Sequence, residues 1–185
     1  MKNNTLKTLL ILILVLPLFI FITGCKGPDP QPTKYDVAYI NDLLDATGFQ
    51  SYFYQKTIKS GETLLLEENT DVTLKDSKYV VKTEISKLAS LDSTQKYIIE
   101  ESEEEVEIVN NPISLEIKEA DFTSVEVTEN SLTGSVKDDA NVLGYAVKNL
   151  SLKINLSNSK VASIEVNYVD VETNLNVKVL IKYNY

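Results

Sequence analysis

The chain has 185 residues, 27 of them acidic and 18 basic, and every basic residue is a lysine, with no His, no Arg, no Trp and one Cys. Without imidazole there is no His general base or His-ligated metal, and one cysteine can form neither an intrachain disulfide nor a thiolate cluster. Beyond the first 24 residues 16 lysines face 27 acids, a net of −11, which is the wrong sign for a nucleic-acid partner.

Lys2 and Lys7 precede an apolar run from Thr8 to Thr23, TLLILILVLPLFIFIT, followed by Gly24 and Cys25. This is the layout of a secretory leader. As a helix the 16 residues would reach only about 24 Å, short of the roughly 30 Å hydrocarbon core of a bilayer. Pro17 also weakens a spanning helix. Ile22-Thr23-Gly24-Cys25 resembles the lipobox of bacterial lipoproteins. That resemblance implies cleavage between Gly24 and Cys25 and a Cys25 thiol joined to diacylglycerol, with further acylation by chains such as palmitate. It also implies a protein lipid-anchored at the outer face of the cell membrane, with the bilayer as its partner through Cys25. Each buried methylene is worth about 0.8 kcal/mol, so two or more acyl chains give a stable anchor.

Residues 26–34, KGPDPQPTK, carry Pro28, Pro30 and Pro32. The alternation favours extended polyproline II geometry, and nine residues at ~3.1 Å each reach about 28 Å. That exceeds the ~8 Å screening length of physiological salt, so the spacer can hold a strongly negative domain clear of an anionic surface. The expected organisation is a leader over residues 1–24, a lipidated Cys25 with its tether over 25–34, and one domain over 35–185.

Val37, Ile40, Leu43 and Leu44 fall three and four apart, predicting a helix capped by Asp36 and ended by Gly48. After it the apolar period becomes two. Short alternating sets stand at Tyr52, Tyr54 and Ile58, at Tyr79, Val81 and Ile85, and at Val106 and Ile108. Further sets stand at Ile113, Leu115 and Ile117, at Val125 and Val127, and at Leu132, Gly134 and Val136. Ser60-Gly61, Asp76-Ser77, Asp92-Ser93, Asn110-Asn111-Pro112 and Asn130-Ser131 read as the turns between them. The last three strands are the clearest: Leu150 to Leu156, then Ala162 to Tyr168 beyond the turn 157–160, then Leu175 to Tyr183. The fold class expected is mainly β, a large twisted antiparallel meander of nine or ten strands, half-barrel-like, with one N-terminal helix. One helix cannot cover such a sheet, so its apolar face either curls around the helix or stays partly open to a ligand.

The helix followed by a meander ending in KNLSLKINLSNSKVASIEVNY and NLNVKVLIKYNY is similar to the half-barrels of the LolA and LppX type of lipoprotein-carrier and lipid-binding domains. That resemblance implies an unclosed barrel with an apolar cavity for acyl chains, and it carries over no individual site residue.

Several acidic or hydroxyl-bearing clusters invite chemistry and are better read as surface. Glu100, Glu101, Glu103, Glu104, Glu105 and Glu107 read as a hairpin tip and solvated edge, where charge blocks unwanted strand pairing. Asp170, Glu172 and Asn174 resemble a hard-cation loop, but Leu175 and Ile181 stand where that loop needs Gly and an acid. Ser93-Thr94-Gln95-Lys96 and Ser157-Asn158-Ser159-Lys160 spell Ser-x-x-Lys, yet both precede strands, and their partner motifs are absent. Tyr52, Phe53 and Tyr54 read as strand packing. The functional expectation is a non-enzymatic binding module for a hydrophobic small molecule or a protein partner, with no catalytic residue, metal or cofactor. A structural, surface-coat or adhesion lipoprotein without a pocket is the alternative.

Overall fold

The computed structural model describes residues 35–45, 48–90 and 96–185. The leader, the Gly24 to Cys25 junction, the 26–34 spacer and the Asp92-Ser93 turn lie outside the described residues. Tyr35–Tyr185 form one compact unit. Among the described residues no helix is long and apolar enough to cross a membrane.

Helix α1 covers Val37–Asp45 and buries Val37 and Ile40. Its start is set by the Asp36 carboxylate, which accepts the backbone N–H of Tyr39 at 2.8 Å and satisfies one of the donors a first turn leaves open. Nine strands follow: β1 Ser51–Ser60, β2 Thr63–Lys75, β3 Lys78–Leu88, β4 Tyr97–Val106, β5 Phe122–Val127, β6 Ser131–Val136, β7 Val147–Ser157, β8 Lys160–Asp170 and β9 Asn176–Asn184. A 3₁₀ turn at Glu119–Asp121 precedes β5.

All nine strands form one sheet in the order β4-β3-β2-β1-β9-β8-β7-β6-β5, with every neighbouring pair antiparallel. The expected antiparallel meander is present and unclosed, with β4 and β5 as its free edges. Its organising contact is the pairing of the first strand with the last, Ser51 opposite Asn184 through Lys59 opposite Asn176, which makes β9 the middle strand. Two tight hairpins follow from local chemistry. Asp76-Ser77 and Asn158-Ser159 each hold positive φ between 51° and 67°, the geometry of a two-residue turn whose twist matches its strands.

One face of this sheet is covered. Across its middle, Tyr52, Ile181, Val179, Val177, Ile164, Val166, Leu152, Ile154 and Leu132 share that inner face and are buried. Phe122 lies against Gly134, where an added Cβ would stand 2.5 Å from the ring, so the absence of a side chain there is what admits the aromatic. Three segments supply the cover. One is α1, another is the 137–146 loop with Val142 buried, and the third is the 107–118 connection, which runs from the end of β4 at one edge toward β5 at the other.

That last connection corrects the expected strand at Ile113, Leu115 and Ile117. The segment pairs with no strand. It is an extended strap whose alternate side chains press on the core, with Ile117 fully buried and its carbonyl accepting Asn41 Nδ2 at 2.6 Å. An extended chain lying flat on an apolar surface has the same period of two as a paired strand, and Asn110-Asn111-Pro112 lies within the strap instead of turning a hairpin.

Two further differences concern the N-terminal half of the sheet. The segment 63–75, where no alternation stands out, is the long strand β2, whose inner face mixes Leu66, Glu68, Thr70 and Val72. The acidic run lies along β4 and is not a hairpin tip. Tyr97 to Val106 pair with Leu88 to Tyr79, and the carboxylates line a solvated edge, with Glu100 and Glu103 bridged to Lys87 and Lys82 at 3.0 and 3.2 Å.

Candidate functional site

At one end of the inner face the cover is incomplete. A cavity of about 370 Å³ lies between the last turn of α1, the strap and the ends of β3 and β9. Leu43 and Leu44 come from the helix, Phe49 from the approach to β1, Tyr79 from the start of β3 and Val161 from the start of β8. Val109, Ile113 and Leu115 line it from the strap, and Tyr183 and Tyr185 close it from the end of the chain. The antiparallel register explains why residues so far apart in sequence meet. The start of β1 faces the end of β9 on one side and the end of β2 on the other, so the C-terminus, the β2–β3 turn and the β7–β8 turn share one end of the sheet.

The walls are apolar and aromatic with a few oriented polar groups. Phe49 packs edge-on against Tyr52 at 5.3 Å between ring centroids and lies 5.7 Å from Tyr183. The Tyr183 hydroxyl donates to Asn111 Oδ1 at 2.5 Å and so ties the strap to the middle strand. Burial drives the Tyr183 pKa well above its ordinary value. The Tyr185 hydroxyl donates to the Val161 carbonyl at 3.1 Å, and Lys160 Nζ stands 4.3 Å above the Tyr185 ring in a cation–π contact. Asp45, Asn110 and Ser114 complete the polar part of the lining.

A second tyrosine cluster lies toward the other end of the inner face. The Tyr145 and Tyr168 hydroxyls are 2.8 Å apart. Burial raises the Tyr54 pKa to about 12, with Glu68 and the neighbouring tyrosines adding to the shift. Tyr168 is raised as well, first by burial and then by its bond to Tyr145.

The clusters weighed in the sequence are placed as follows. The Asp170 carboxylate accepts both the backbone N–H and the hydroxyl of Thr173 at 2.7 Å, closing the β8–β9 turn around Asn174 at φ 56°. Those bonds from Thr173 also hold its pKa below the ordinary carboxylate value. Among the described residues no group of three or more His, Cys, Asp or Glu is gathered to hold a metal ion. Cys25 and Gly24 lie outside the described residues. Asn111, Tyr183 and Tyr185 do not stand out in the sequence. Asn111 looks like a turn residue and Tyr183 like the last member of an apolar series, and only the pairing of β1 with β9 brings the strap over them.

No protein-family model matches this chain, and no curated protein or solved structure is detectably similar to it.

Proposed function

We propose that this chain is an extracytoplasmic lipoprotein, held on the outer face of the cell membrane by acylated Cys25. In this reading its domain is a non-enzymatic binding module, and the hydrophobic ligand or apolar side chain of a protein partner enters the cavity beneath Tyr183 and Asn111. The observation that carries the reading is the cavity itself: about 370 Å³, within the ~300–1,000 Å³ range of small-ligand sites, lined by apolar and aromatic side chains together with Asp45, Asn110, Asn111 and Ser114. The half-barrel resemblance noted for the strand pattern agrees with an apolar occupant. A structural or surface-coat role is the second reading. It is favoured by the tight packing beneath the middle of the cover, where Ile40, Ile117, Ile154 and Ile164 are fully buried and leave no room for a ligand.

Native mass spectrometry of the chain from Lys26 onward, purified from a lipid-containing host, separates the two. A co-purifying apolar molecule, or uptake of a fluorescent fatty acid that Leu115→Trp blocks by filling the cavity, supports the binding module. Absence of both overturns the hydrophobic-ligand form of the reading. The anchor is tested separately, since Cys25→Ser should release the protein from membranes or leave its leader uncleaved.

A further inference from the structure

We infer that the occupant of the cavity, on the binding-module reading above, is a small amphiphile with a methylated ammonium head and a short apolar tail. Among the described residues of the lining, Asp45 is the one carboxylate, and no lysine stands with it. Asp45 is exposed, so its charge lies at the mouth. It is also the last residue of α1, whose final turn holds no basic residue. The open carbonyls of a helix C-terminus carry partial negative charge, so stability alone would favour a lysine at this position. Among the described residues no ion pair includes Asp45. Two sources of negative potential therefore meet at the mouth of the cavity, and a cation bound there relieves both. Local rules of this kind are broken mainly where function sets the residue.

The walls suit the two halves of such a ligand. Phe49, Tyr79, Tyr183 and Tyr185 contribute four rings, and the face of an aromatic ring attracts cations. The Tyr183 ring neighbours both Phe49 and Tyr185, with centroids 5.7 and 6.4 Å away, so three of the rings form one continuous patch. That patch already takes a cation, since Lys160 Nζ stands 4.3 Å from the centre of the Tyr185 ring. Leu43, Leu44, Val109, Ile113 and Leu115 offer aliphatic surface to the tail.

Hydrogen bonding decides the kind of ammonium. A primary ammonium brings three donors, each needing an acceptor, and Asn111 Oδ1 is already engaged by Tyr183. A methylated head has no donor to satisfy and is held by ring faces and a carboxylate. Beyond residue 24 the chain sets 16 lysines against 27 acids, a field that concentrates cations near the domain and disfavours carboxylates of similar length.

Equilibrium dialysis against the full chain in dodecyl maltoside, with empty micelles as the blank, tests this with hexyltrimethylammonium, 1-hexanol and hexanoate, which share one chain length. The cation should bind about tenfold more tightly than 1-hexanol, and hexanoate more weakly than either. Asp45→Asn should weaken the cation by about threefold to fivefold and leave 1-hexanol unchanged. Phe49→Leu, which keeps the wall apolar but removes a ring, should also weaken the cation selectively. Leu115→Trp should block both, and Glu103→Gln, on β4 and outside the lining, should change neither. The ammonium assignment is overturned, with the cavity reading intact, if 1-hexanol or hexanoate binds as tightly as the cation. The same holds if Asp45→Asn has no effect on the cation, or if Glu103→Gln weakens it equally. Binding of none of the three would show instead that the cavity reading itself has failed.

Discussion

Ile117 and Ile108 belong to the same strap, yet one is fully buried and the other 79% exposed, which makes them a matched pair for testing how the sheet is covered. Ile117→Ala removes the apolar area of its lost methyl groups and leaves a cavity between α1 and the sheet, for a cost of about 2–5 kcal/mol. The Asn41 to Ile117 bond uses the backbone carbonyl and survives the change, so the loss reports packing alone. Ile108→Ala removes the same atoms from a side chain already in water and should stay within about 0.5 kcal/mol. At roughly 2–4 °C per kcal/mol for a domain of this size, a 3 kcal/mol loss lowers the midpoint by about 6–12 °C. Urea and thermal unfolding of the chain from Lys26 onward measure both variants. Equal losses, or a loss below about 1 kcal/mol at Ile117, would refute the strap as the cover of the inner face.

Gly134→Ala should destabilise by about 1–3 kcal/mol because its Cβ would meet the Phe122 ring, and Phe122→Leu in the same chain should recover part of that loss in urea unfolding. Raising the pH should destabilise the fold only above about 10. Tyr54 keeps its proton to about 12 when folded and Tyr168 is also raised, while unfolded phenols ionise near 10, so the stabilisation is complete below 10 and is lost as pH climbs toward the folded values. Tyrosinate absorbance followed together with circular dichroism checks this, and ionisation of every tyrosine near 10 with the fold intact would refute it. Tyr183→Phe removes the hydroxyl that holds Asn111, so faster amide exchange is expected along 109–115 with little change in β9.

The sequence was most legible where one face is wet and the other dry. In β7, β8 and β9 nearly every second residue is buried, and the alternation alone placed all three strands in their observed positions. β2 escaped notice because it has no consistently dry face. Val72 is its one buried residue, and Glu68 and Thr70 share the inner face with Leu66. The strap misled for the opposite reason: its alternation is real, but it comes from lying on the core and not from pairing. The proposed lipid-anchor motif is four consecutive residues, Ile22 to Cys25, and so falls within one short window. The cavity does not, since its walls come from the helix, the strap, three strands and the C-terminal residue, and no short window of sequence contains two opposite walls.

The two free edges explain the placement of the acidic run. A ten-residue edge strand such as β4, paired on one side only, presents on its open side backbone donors and acceptors that would template pairing with another copy. A membrane tether of the proposed kind would aggravate this by confining copies to one plane and raising the frequency of edge-to-edge encounters. The run of glutamates from 100 to 105, interrupted only by Ser102, opposes such pairing, because two β4 edges would bring carboxylates against carboxylates. Lys82 and Lys87 on β3 neutralise part of the same charge within one molecule, which stabilises the edge without making it attractive to a second copy. At the other margin β5 is only six residues long and its register shifts between Phe122 and Ser124, which shortens the regular edge it can offer. The large negative charge of the domain is thus partly a property of one strand, whose carboxylates protect an edge that the topology leaves open.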